Sequence, residues 1–94
     1  MTKADIVTDI SKSTGIEKIV VQTTIESMMS SIEKSLSKGE NVYLRGFGSF
    51  VIKNRAKKVA RNISKNTTIE IPAHNIPFFK PVSSFVEEVR NKVK

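Results

Sequence analysis

The sequence predicts an α+β fold. It reads as an N-terminal helical hairpin, a three-stranded antiparallel sheet with a long protruding β-ribbon arm, and a C-terminal helix. Three observations lead there. Apolar residues recur at spacings of three and four as far as Leu36, the periodicity of helices with one apolar face. The pattern then changes to β-forming residues grouped around Gly46 and Gly48. Finally, the stretch between Asn41 and Ile69 holds seven basic residues and no acid, while all nine acids of the chain lie outside it. The first forty residues (five basic, six acidic) and the part from Glu70 onward (four basic, three acidic) cancel, so the net charge of +7 resides in the central segment.

Thr2 is a helix N-cap, with Asp5 three residues on near the positive end of the helix dipole. Ile6, Val7 and Ile10 fall on one face, and Gly15 closes the helix as a left-handed cap. A second helix starts at about Lys18, with Val21, Ile25, Met28, Met29, Ile32 and Leu36 on its apolar face. Gly39 ends it, with Lys38 expected in its last turn, where a cation is favoured. Residues 41–45 and 48–53 read as strands joined by a tight Gly-Phe-Gly turn. Residues 53–60 are mostly polar, and 67–73 are again strand-like, with Ile69 and Ile71 alternating and Pro72 marking an edge. The turn composition of 61–66 places the tip of a two-stranded ribbon near 62–66. With so few apolar residues, that ribbon projects rather than covers a core. The chain returns as a strand over 76–80. After Pro81 a last amphipathic helix carries Phe85, Val86 and Val89 and ends in Arg90, Lys92 and Lys94. The whole is expected to be one domain, 1–94. Its parts are a helical base (1–40), a sheet (41–52 and 74–80), an arm (53–73) and a C-terminal helix (82–92).

A 94-residue chain with part of its length in an arm has a small core, and such a chain is marginal alone. Cysteine is absent, so neither disulfides nor thiolate–metal sites supply stability, which leaves oligomerisation. No apolar run reaches the length of a membrane span, and the first residues lack the apolar core of a signal peptide. The expectation is a cytoplasmic protein without a membrane partner.

Confined positive charge points to a polyanion. A two-stranded ribbon is slim enough to enter a DNA groove, and its Lys and Arg side chains would neutralise phosphates and release counterions. Ile63 stands out as a lone large apolar residue at the expected tip. Minor-groove architectural proteins use such residues as wedges between base steps. A basic stretch is also what a solvated face looks like, and a lone loop isoleucine is commonly incidental. Phe47, Phe50, Phe78, Phe79 and Phe85 are read as core rather than as a base-stacking platform, because they sit beside glycines and in apolar strands. His74 has no second ligand at metal spacing, Asp5 and Asp9 read as helix-start and surface charges, and no Ser–His–acid set stands in a nucleophile context. No catalysis, cofactor, metal or small-molecule substrate is expected.

Arg45-Gly46-Phe47-Gly48-Ser49-Phe50, Arg55-Ala56, Arg61-Asn62, Asn75-Ile76-Pro77 and Phe79-Lys80-Pro81 occur in this order. In these runs the chain resembles the bacterial histone-like HU and integration host factor (IHF) family along almost its full length. The first and last runs look especially like the beta chain of integration host factor. The resemblance implies an intertwined dimer with a helical base, a sheet saddle and two β-arms that wrap DNA through the minor groove. It also implies that Gly46, Phe47, Gly48 and Phe50 belong to the saddle and dimer core. The tip departs from the family's usual Gly-Arg-Asn-Pro: here it reads Ala60-Arg61-Asn62-Ile63, so Ile63 stands where the intercalating proline does. Isoleucine fills the gap but lacks the rigid backbone of proline, which implies a softer kink. Asn66 replaces a glycine and still tolerates a left-handed turn. Val82 replaces the usual glycine after Pro81, which implies a small change where the last helix begins.

The resulting expectation is a nucleoid-associated, homodimeric protein that binds duplex DNA with low sequence specificity, bends it and compacts it. It would prefer bent, nicked or flexible DNA. Lys53, Arg55, Lys57, Lys58 and Arg61 are the residues expected on phosphates or the groove floor. Asn62 holds the tip, Ile63 wedges, and Lys65 and Arg45 add charge. Lys3 and Lys80 contact the flanks. Phe47, Phe50 and Phe79 form the dimer core. Alternatives are a sequence-specific factor of the integration host factor kind, a heterodimer with a related chain, or an RNA-binding module.

Overall fold

The computed structural model describes residues 1–62 and 67–93, and their side chains over 1–59 and 68–93. They form two compact units, Met1–Ser35 and Leu36–Lys94.

In the first unit, α1 (Lys3–Thr14) opens on a capping box. The Thr2 hydroxyl accepts from the Asp5 N–H at 3.3 Å, and the Thr2 N–H donates to the Asp5 carboxylate at 2.9 Å. Gly15 closes the helix at φ 79°, its N–H bonded to the Ser11 carbonyl. The second helix, α2, spans Lys18–Ser37. It stops one residue before Lys38, so the cation in its last turn is Lys34, and Gly39 (φ 86°) follows in the turn with its N–H on the Leu36 carbonyl. Val7 and Val21 are the buried apolar residues among those described.

The hydrogen bonds from Thr2, backbone first and hydroxyl second, hold the Asp5 carboxyl below its ordinary pKa. A lowered folded-state pKa gives stability that is present above the unfolded value and lost as pH falls through the folded one. The variant Asp5→Ala will therefore melt below the parent protein at pH 7, and the gap will narrow at a pH well below the ordinary carboxylate range, as the Asp5 carboxylate takes up its proton. Circular dichroism melts of the two proteins at both pH values check this.

The second unit contains an antiparallel sheet in the order β1–β2–β5, built from β1 (Val42–Leu44), β2 (Gly48–Arg55) and β5 (His74–Pro81). A separate two-stranded ladder joins β3 (Lys58–Asn62) to β4 (Thr67–Ile71). The helix α3 (Ser83–Lys92) follows. These elements are the predicted sheet, ribbon and C-terminal helix, with three local differences. First, the β1–β2 turn is Arg45-Gly46-Phe47, with Gly46 at φ 83° and the Phe47 N–H on the Leu44 carbonyl. Gly48 belongs to β2, not to the turn, and pairs with both Leu44 and Pro81. Its missing side chain makes room: a Cβ there would lie 2.5 Å from the Phe79 ring and 2.6 Å from the Lys80 carbonyl oxygen. Second, β2 runs to Arg55, and the sheet is parted from the ribbon by residues 56–57 on one side and 72–73 on the other. Pro72 therefore lies in the interruption and not inside an edge strand, because it has no N–H to continue a ladder. Third, Val82 caps α3 without a side-chain hydrogen bond, at φ −71°, which any residue adopts. Its N–H instead binds the Phe47 carbonyl at 3.0 Å, and nothing in this backbone geometry requires a glycine at 82.

Phe50 and Phe79 are direct register partners with ring centroids 4.9 Å apart. Phe47 lies 5.2 Å from Phe79 and 5.4 Å from Phe85, which makes one aromatic cluster. Phe78 is not part of it, since neighbouring residues of a strand point to opposite faces. Although Phe47 sits in the cluster it remains 47% exposed, and Val86 and Val89 of α3 are exposed as well. A single copy thus leaves apolar surface uncovered on this unit.

Candidate nucleic-acid interface

Register decides what each face of the β1–β2–β5 sheet carries. Antiparallel partners share a face, and successive residues alternate. The Val42–Phe50–Phe79 row lies on the side of the aromatic cluster. The other side carries the Tyr43–Ser49–Lys80 row, then Val51 with Phe78, Lys53 with Ile76, and Arg55 with His74. Three of the predicted contacts, Lys53, Arg55 and Lys80, are thereby gathered on one exposed face.

Two aromatic residues share it. The Lys53 ammonium lies 4.5 Å from the centroid of the Phe78 ring. That cation–π contact holds the ammonium itself over the ring on this exposed face. Tyr43 is 71% exposed, and its hydroxyl accepts a hydrogen bond from the Asn41 amide at 3.2 Å, while Asn41 Oδ1 accepts from the Ile52 N–H. Neither Tyr43 nor Phe78 is among the contacts that the sequence predicts, yet both lie on this face. The expectation of Phe78 as core rested on the apolar run Ile76–Phe79, and the period-two parity with Lys53 and Lys80 was the signal that separated it from Phe79.

On the ribbon, Lys58 is opposite Ile71, Val59 opposite Glu70, and Arg61 and Asn62 opposite Thr68 and Thr67. Val59, Ile69 and Ile71 are exposed among the described residues. Lys57 forms an ion pair with Glu70, so its ammonium is engaged within the arm. Arg61 and Asn62 belong to β3, but their side chains lie outside those described; Ile63 and Lys65 lie outside the described residues altogether. Arg45 is exposed in the β1–β2 turn.

Lys3 belongs to the other unit, where its ammonium is 2.8 Å from Glu26 Oε2. Glu26 also accepts from the Gln22 amide at 3.3 Å, and its carboxyl is held below its ordinary pKa, chiefly by the bond from Lys3. A phosphate at Lys3 would have to displace that carboxylate. Among the described residues no group of His, Cys, Asp and Glu is arranged to hold a metal.

The family model described as "Bacterial DNA-binding protein" matches residues 1–90. The chain is 31% identical over 90 residues to DNA-binding protein HU of Thermus thermophilus, covering 96% of this chain and 93% of that one. It is 34% identical over 95 residues to integration host factor subunit beta of Marinobacter nauticus, covering 100% and 97%. Among solved structures it is similar to the Anabaena HU–DNA cocrystal structure, with a TM-score of 0.88 at 30% identity over 95% of this chain and 97% of that chain.

Proposed function

From its place in the bacterial DNA-binding protein family, to which this chain belongs together with the HU proteins and integration host factor subunits, we infer that it is a histone-like architectural protein that binds and bends duplex DNA. It works as a dimer and is not an enzyme. One observation carries the mechanism: Lys53, Arg55 and Lys80 share a sheet face that leads into a ribbon whose apolar residues Val59, Ile69 and Ile71 are exposed. The sheet face takes the phosphates of the duplex, and the two arms follow the minor groove, releasing counterions as they go.

Residues 1–94 act as one domain with a base (1–40), a sheet (41–52 and 74–80) that leads into the arm (53–73), and a last helix (82–92) whose Phe85 joins the aromatic cluster. Arg45, Lys58, Arg61 and Lys65 extend the cationic track, and Asn62 holds the tip. Phe47, Phe50 and Phe79 form the core that the second copy completes. Ile63 enters between base pairs and kinks the duplex. A cytoplasmic, nucleoid-associated location follows from chromosomal DNA as ligand.

Energy transfer across an end-labelled duplex, titrated at several salt concentrations, tests this reading. The ends should draw together, with log K falling on log salt with a slope of about −0.9 per phosphate neutralised. Absence of binding at low salt would sink it. Ile63→Ser should keep affinity within about tenfold while reducing the transfer, since wedging supplies bending more than charge. An unchanged bend angle would remove the wedge from the mechanism. The full-length similarity to an integration host factor subunit favours one second reading, sequence-specific bending, which predicts a large affinity gap between one site and random DNA.

A further inference from the structure

Glu70 is the only acid between residues 41 and 86, and it sits inside the arm. The register places it opposite Val59, so Lys57, two residues before Val59, is its diagonal neighbour on the same ribbon face. Lys58, opposite Ile71, belongs to the other face. Among the described side chains, the ion pair of Glu70 is with Lys57 alone. We propose that Glu70 sets the number of phosphates each arm neutralises: by pairing with Lys57 it withholds that lysine from DNA and lowers the arm's affinity for duplex of any sequence.

The assignment rests on the architectural DNA-binding reading and deepens it. Affinity that comes from phosphate neutralisation carries no base-sequence information. A carboxylate at the root of the arm subtracts from that term alone and leaves any contribution from kinking at the tip untouched. The arm therefore spends less of its binding on straight, random duplex, and deformable DNA gains by comparison. Both partners are exposed, 62% for Lys57 and 60% for Glu70, so the pair does little to hold the fold and its removal should be read in binding.

The test measures binding of the full chain to a random-sequence linear duplex across a salt series, for the parent protein, Glu70→Gln and the double variant Lys57→Met/Glu70→Gln. Melting curves establish that all three are folded. Glu70→Gln should bind several-fold tighter at low salt, its slope steeper by about 0.9 per arm, or about 1.8 per dimer, because one lysine per arm is freed. The double variant should return to the parent slope. Steep parent binding with an unmoved Glu70→Gln slope would overturn the assignment alone, as would a double variant that stays steeper than the parent. Parent protein that binds without salt dependence would overturn the functional reading and this assignment together.

Discussion

Gly48→Ala will destabilise the protein by about 3 kcal/mol, the upper end of what overpacking costs, although it adds only one methyl group, because that methyl enters a buried position of the central strand. The new Cβ would meet the Phe79 ring at 2.5 Å and the Lys80 carbonyl at 2.6 Å. The ring cannot retreat freely, because Phe79 is held between Phe47 and Phe50. The carbonyl belongs to β5, whose pairing with β2 builds the sheet. Gly46→Ala is the informative contrast. Its Cβ would meet nothing within 4 Å, but φ is 83°, so the cost is left-handed backbone strain of about 1 kcal/mol. Denaturant unfolding at matched protein concentration, since a dimer's stability depends on it, should rank parent, Gly46→Ala and Gly48→Ala in that order. Equal losses for the two variants would show that the sheet relaxes around the methyl.

Replacing Lys53, Arg55 and Lys58 together by Ala will leave the melting temperature nearly unchanged and lower DNA affinity by roughly a thousandfold near physiological salt. All three side chains are exposed. Surface substitutions without buried partners move stability little, although Lys53 also gives up its contact with Phe78. Three cations per arm, six in a dimer, reduce the slope of log K on log salt by about 5 if each neutralises one phosphate. Filter binding or fluorescence anisotropy across a salt series measures both quantities. A slope that falls by only 1 or 2 would mean that the sheet face carries little of the DNA. Lys57 is left out of the triple variant because Glu70 already holds it.

Local signals carried most of the fold. The capping box of Thr2 and Asp5, the left-handed Gly15, and the change of period after Leu36 each depend on residues within a few positions of one another. So does the ribbon, whose polar composition says it cannot cover a core. What sequence did not disclose depends on partners far along the chain. Gly48 looks like part of the turn until Phe79 and Lys80, more than thirty residues later, arrive beside it. Phe78 and Phe79 are indistinguishable by composition, and only the pairing of β2 with β5 sends them to opposite faces. The candidate site divides in the same way. The confinement of charge marks the arm and the sheet, but charge alone cannot say which cations are engaged. Lys3 is met by Glu26 across one helix pair, and Lys57 by Glu70 across the ribbon. Both pairings follow from tertiary register, which a count of basic residues does not contain.

The interruption at residues 56–57 and 72–73 separates two hydrogen-bonded ladders that the chain passes through in turn. Backbone cooperativity is carried by ladders, so it stops at that gap. A substitution that frays β3 and β4 need not fray β2 and β5. For heredity this is a partition of risk: changes in the arm alter how DNA is held, while the aromatic cluster and its sheet go on securing the fold. Substitutions in the arm can therefore accumulate without first requiring stability to spare in the sheet.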